Sequence, residues 1–138
     1  MSQEQIDEDA RFVLGIGIAS VASEDDVFAL ADAVLREAGI EPSSLDAIAT
    51  LDRRADHPAL VALAGRFEVP LWGVTSERLA GEVDRMATPS EKVKSLVGLA
   101  GVAEAAALAS GGANARLVVE KRTGEGVTMA LAIVARAG

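Results

Sequence analysis

Cysteine is absent from the 138 residues, and histidine occurs once, as His57. The first absence excludes disulfides, thiolate metal ligands and a cysteine nucleophile, and it fits a reducing compartment. The second leaves a zinc ion without a ligand set, and a Ser-His-Asp triad could involve only His57 with Asp52 or Asp56, with no identifiable serine. Tyrosine is also missing, and the aromatic residues are Trp72 and three phenylalanines in a chain of formal net charge −8. Binding to nucleic acid needs a basic face and stacking aromatics, so nucleic acid is not an expected partner. The negative charge reads as a solubility feature. No run of about 20 apolar residues is present, and residues 1–10 are polar and acidic without the apolar stretch of a signal peptide. A cytoplasmic protein with no membrane partner and no cofactor is expected, with a flexible acidic start at 1–10 and a single domain over 11–138.

The remaining sequence alternates strand and helix signals. Phe12 to Ile18 is nearly continuous in apolar residues, as in a strand buried on both faces. Ser23 caps a helix over Glu24–Ala38, in which Val27, Leu30, Ala31, Val34, Leu35 and Ala38 recur at three- and four-residue spacings, and Gly39 stands at the left-handed C′ position. A second strand is expected at Leu45–Thr50, a helix from about Pro58 to Phe67, and a third strand at Val69–Val74, whose Pro70 belongs early in a strand or near a sheet edge. A short helix follows from Ser76 to about Asp84. Arg116–Lys121 and Val127–Ala135 read as a hairpin joined by the loop from Arg122 to Gly126. The pattern predicts an α/β three-layer sandwich with a mixed sheet of about five strands, the first three parallel and the last two an antiparallel hairpin.

Several positions compete as functional candidates. Gly15-Ile16-Gly17 follows a strand as a dinucleotide-binding turn would, but Ser20 stands where the third glycine belongs and Asp32 falls inside a helix, so no nicotinamide site is expected. Close backbone approach is the alternative use of such glycines. No Gly-x-Ser-x-Gly elbow and no phosphate-binding loop occurs. Thr50-Leu51-Asp52-Arg53-Arg54-Ala55-Asp56-His57 follows the second strand, at the end of the sheet where ligands bind in open α/β folds. The plainer reading is a solvated turn with Asp and Arg paired to one another, and His57 helping to start the next helix.

The run from Thr88 to Leu108 joins a capping box, in which Thr88 caps, Pro89 takes the first helical position and Glu91 closes, to a joint at Gly98 and Gly101 and an alanine-rich helix ending at Gly111-Gly112. Together with Gly15-Ile16-Gly17, the segment Ala49 to Asp56 and the late Lys121…Gly126-Val127-Thr128, this run resembles the family formed by CobE and the C-terminal domain of CbiG, from cobalamin biosynthesis. The resemblance covers Phe12 to Ala135. Family members often read Gly-x-Gly-Cys-Arg-Arg-Gly where this chain has Gly15-Ile16-Gly17-Ile18-Ala19-Ser20-Val21.

The resemblance implies an α/β fold and, because no CbiG N-terminal domains precede it, the free-standing form. It further implies a role in corrin-ring synthesis, binding or handing over a precorrin or corrinoid intermediate, with other enzymes of the pathway as possible partners. Such a ligand is a large apolar macrocycle edged with acetate and propionate carboxylates, which calls for apolar walls and a few polar donors. The candidates are Thr50, Asp52, Arg53, Arg54, Ser90, Glu91, Lys121 and Thr128, with Gly15 and Gly17 shaping the floor. Arg54 and Lys121 are the preferred donors. Two other functions remain open. One is a hydrolase that opens the precorrin δ-lactone with release of acetaldehyde, with Asp52, Asp56 or Glu91 as general base and Lys121 as stabiliser. The other is a non-catalytic interaction module for another pathway enzyme.

Overall fold

The computed structural model describes residues 10–82 and 99–134. Five strands form one sheet in the order β3-β2-β1-β5-β4, with β1 at Arg11–Ile18, β2 at Leu45–Leu51, β3 at Leu71–Val74, β4 at Arg116–Gly124 and β5 at Val127–Val134. β1, β2 and β3 are mutually parallel. β5 is antiparallel to both β1 and β4. The C-terminal hairpin is therefore added through its second strand, and β4 runs in the same direction as β1.

One face of the sheet carries α1 (Glu24–Ala38) and α2 (Pro58–Phe67). Leu14, Ile16, Ile18, Ile48, Met129 and Leu131 from the sheet pack there against Val27, Val34, Leu60 and Leu63. Burying each such large apolar side chain is worth roughly 1.5–3 kcal/mol. The opposite face carries the short α3 (Ser76–Ala80) and α4 (Leu99–Gly111), whose Val102, Ala105, Ala106 and Ala109 pack on Val13, Ala49 and Val74. Helices on both faces make the three layers.

Local chemistry explains most element ends. The Ser23 hydroxyl accepts the Asp26 N–H at 3.1 Å, and Gly39, at φ +72, returns its N–H to Arg36 and Leu35 carbonyls. α2 closes on Glu68, a non-glycine residue at φ 58, and the Val69 N–H goes to the Ala64 carbonyl. Val69 is thereby spent on closing the helix, so β3 begins at Leu71, two residues later than its apolar run predicts. The hairpin loop is also shorter than expected. β4 extends to Gly124, which pairs with Val127, leaving Glu125 and Gly126 as the turn. The expected Ser76–Asp84 helix ends early, at Ala80 with Gly81 as its cap; its residues 83–84, and the whole of the expected Thr88 helix with Ser90 and Glu91, lie outside the described residues.

The alanine-rich α4 approaches β1 closely. A Cβ on Gly15 would collide with the Ala103 carbonyl oxygen and lie 2.6 Å from the Ala107 nitrogen. Gly15 is thus used for close backbone approach, enclosed under a helix. Gly15→Ala is expected to cost about 3 kcal/mol, the upper end of ordinary overpacking. That corresponds to a melting temperature lower by roughly 10 °C. Gly65→Ala, in α2 with nothing near its Cβ position, should raise stability by about 0.5–1 kcal/mol. Calorimetry of the two variants checks both signs, and a harmless Gly15→Ala would contradict the packing described.

Candidate functional site

The carboxyl ends of β1, β2 and β3 lie side by side along one rim of the sheet, the usual ligand side of an open parallel arrangement. β2 runs into a 3-10 turn at Asp52–Arg54, and β3 runs into Thr75, whose hydroxyl caps α3 by accepting the Arg78 N–H at 3.2 Å. This turn leans on β3: a Cβ on Gly73 would stand 3.0 Å from the Asp52 Cα and 3.5 Å from the Ala55 Cβ.

His57 ties the rim together. Its Nδ1 accepts the Ala59 N–H at 3.1 Å and so caps α2. An accepting Nδ1 requires a neutral ring with the proton on Nε2. Nε2 lies 3.1 Å from the Ala19 carbonyl oxygen and 3.2 Å from that of Ser20. A buried imidazole thus joins the segment leaving β1 to the segment leaving β2.

The candidate residues separate into groups. Asp52 and Arg53 are exposed and Arg54 is half-buried. Among the described residues none of Asp52, Arg53, Arg54 and Asp56 forms an ion pair, so the self-paired turn does not occur. Thr50 is fully buried and its hydroxyl donates to the Ile16 carbonyl at 2.7 Å. It joins two strands and is not presented to solvent. Thr128 is buried as well, opposite Gly17 in the β1–β5 register.

Lys121 lies on β4, at the other edge of the sheet. At about 4.8 Å per strand, β4 is roughly 14 Å from β2. Its neighbour Arg122 is engaged: Nε donates to Glu37 Oε1 at 3.0 Å. That hydrogen bond, aided by the Arg122 charge, holds the Glu37 carboxyl below its ordinary value of 4.5 and raises Arg122 above its own. Because Glu37 is more acidic folded than unfolded, the pair contributes at neutral pH and fades as pH falls below 4.5 toward the lowered value.

Glu104 is the residue that motif reasoning passed over. It is 1 % exposed inside α4, and its Oε2 accepts the Lys121 backbone N–H at 3.1 Å, where the β4–β5 pairing shifts register between Val119 and Arg122. The signal was a single charge in the otherwise apolar run Leu99–Ala109. Among the described residues no cluster of His, Cys, Asp or Glu could hold a metal ion, and no helix is long and apolar enough to cross a membrane.

His57→Ala removes both the cap and the bridge, and should cost about 2 kcal/mol. His57→Asn, which can cap but cannot span to Ala19 and Ser20, should recover part of that. Urea unfolding of the two variants measures it; a midpoint unchanged in His57→Ala would show that the bridge carries no energy.

Comparison with known proteins places this geometry. The family model described as Cobalamin synthesis G C-terminus matches residues 12–132. Protein CobE from Sinorhizobium sp is 42 % identical over 123 residues, covering 89 % of this chain and 80 % of the relative. The crystal structure of CobE, a protein from the cobalamin biosynthetic pathway, superposes with TM-score 0.75 at 28 % identity, over 92 % of this chain and 96 % of that one. The cobalamin biosynthesis protein chiG from Agrobacterium tumefaciens gives TM-score 0.70 at 33 % identity, over 91 % and 99 %. A cobalamin biosynthesis protein G homolog from Sulfolobus solfataricus, 21 % identical with TM-score 0.68, shares the fold over 93 % of this chain and 38 % of its own. With the match running from β1 into β5, the chain belongs to the cobalamin synthesis G C-terminal family and is a protein of cobalamin biosynthesis.

Proposed function

We propose that the protein binds a precorrin or corrinoid intermediate and hands it to another enzyme of the pathway. The observation that carries this reading is the pair of arginines, Arg53 and Arg54, at the carboxyl rim with no acidic partner among the described residues. A polycarboxylate is the natural counterpart of such a pair. At a net charge of −8 the protein has no long-range attraction for that ligand. Affinity then comes from apolar burial of the ring together with short charge-assisted hydrogen bonds, each worth about 1.5–3 kcal/mol.

The hydrolase reading asks Asp52, Asp56 or Glu91 to activate water while Lys121 stabilises the developing oxyanion; Glu91 lies outside the described residues, and the other two belong to the rim. The base and Lys121 must then reach one lactone carbonyl. The rim and Lys121 belong to strands three spacings apart, and nothing in the described residues draws them together. Binding without turnover is the better-supported reading.

Absorbance titration with cobyrinic acid, a corrin whose side chains end in free carboxylates, is the test. Arg54→Glu should weaken binding about tenfold or more, on the order of 1.4 kcal/mol. Lys121→Glu should do the same if the macrocycle's carboxylates reach across to β4. Arg36→Glu, in the last turn of α1, should leave affinity unchanged. Equal affinities throughout would mean that the rim is not the site. Failure of the unmodified protein to bind would favour an interaction module, and release of acetaldehyde from a lactone-bearing cobalt-precorrin would establish the hydrolase instead.

A further inference from the structure

Resting on the corrinoid reading, we infer that the macrocycle is seated in the groove along the free edge of β3, with Trp72 as its apolar wall and Arg78 as its carboxylate donor. β3 ends the sheet on this side. A second cavity, of about 420 Å³, opens around Asp32, Arg36 and Glu41, where two carboxylates would oppose an acidic ligand. The β3 groove has no such opposition. Its volume is about 360 Å³, and it is lined by Leu71, Trp72, Gly73, Val74, Arg78 and Ser110.

Three independent features of the groove fit a flat ring edged with carboxylates. Trp72 is the chain's only tryptophan and is 41 % exposed. An indole left in water on an edge strand is an apolar surface available to a large ring. Arg78 gives one Nη2 hydrogen to the Ala109 carbonyl at 2.8 Å, a contact that anchors the guanidinium across α4, and it forms no ion pair among the described residues. Its other N–H groups remain for a carboxylate, and Ser110 adds a hydroxyl beside it.

The third feature is main-chain. The Pro70 carbonyl accepts the Ile48 N–H at 3.0 Å, and a parallel ladder uses alternate residues of each strand. The N–H and C=O groups of Leu71 and Gly73 therefore face outward along the free edge. The Asp52–Arg54 turn packs on Gly73, on the face of β3 that Leu71 shares and opposite to that of Trp72 and Val74. A ring lying on Trp72 would have a margin toward Arg78 and Ser110. Lys121 is at the opposite edge of the sheet, about 19 Å from β3 across four strand spacings.

Titration with cobyrinic acid, monitored by corrin absorbance, separates this seat from the rest of the reading. Trp72→Ala and Arg78→Gln should each weaken binding about tenfold or more, and Trp72→Phe, which keeps a ring, should stay within about threefold. Thermal melting confirms that each variant is folded. If Arg78→Gln fails to fold, Trp72→Ala against Trp72→Phe decides. Hydrogen exchange of the unmodified protein gives a second measurement: ligand should slow exchange at Leu71 and Gly73. Loss of binding in Arg54→Glu with none in Trp72→Ala or Arg78→Gln, or protection at Lys121 in place of Gly73, overturns the seat and leaves corrinoid binding standing. No binding by the unmodified protein overturns both.

Discussion

The closeness of α4 to β1 is the constraint on which the upper layer of the molecule depends. With the Ala103 carbonyl and the Ala107 nitrogen lying where a Cβ on Gly15 would be, the helix backbone rests on the strand with no side chain between them. Ala105, Ala106, Ala107 and Ala109 are buried in that contact. Small residues on the helix and a glycine on the strand are complementary halves of one surface. Their reward is dispersion between closely approaching backbones, which accumulates from many weak contacts. One consequence is geometric. A helix held this near the sheet carries Ser110 and the Ala109 carbonyl to within reach of Arg78 on the short α3, so the walls of the β3 groove are set by a packing event at the centre of the sheet.

Charge placement follows a similar division of labour. Arg11, Arg66 and Arg122 have acidic partners in Asp46, Asp32 and Glu37. These exposed pairs are each worth about 1 kcal/mol or less, and they bind surface elements to one another. Arg53 and Arg54 are left out of that scheme at the end of β2. What sets them apart is that two arginines, unpaired among the described residues, stand side by side in the turn after β2.

Much of this architecture was legible in the sequence, because local rules and tertiary packing agree. α1 has its boundaries where Ser23 and Gly39 place them, since a side-chain acceptor and a left-handed glycine are the cheapest solutions to unsatisfied helix ends. The insertion of β5 between β1 and β4 was not legible: a hairpin signal specifies that two strands pair, and says nothing of which one joins the sheet. Nor was the role of Thr50, whose hydroxyl was weighed as a ligand donor and is instead consumed by the Ile16 carbonyl. A threonine at a strand end looks the same in sequence whether its oxygen faces a ligand or a neighbouring strand. Trp72 carries no signal in sequence beyond that of an edge strand, because the groove beside it is completed by α4, an element distant in the chain. Glu104 was visible as an isolated charge in an apolar run, but its partner, a main-chain N–H on β4, carries no sequence signature.

The place of β5 also has a kinetic meaning. β1, the first described strand, pairs along its length with β5, the last, from Arg11 opposite Val134 to Ile18 opposite Val127. Until that late strand arrives, the central strand of the sheet has one neighbour and one open edge. Closing a loop that encloses nearly the whole domain is entropically costly before any of its contacts form, and folds dominated by such distant pairings are slow. During synthesis on the ribosome, β1, β2 and β3 with α1 and α2 emerge first as a half-sheet with an exposed apolar margin. The acidic balance of the chain then acquires a use beyond the native state, as repulsion that keeps such half-sheets apart until the last strand completes them.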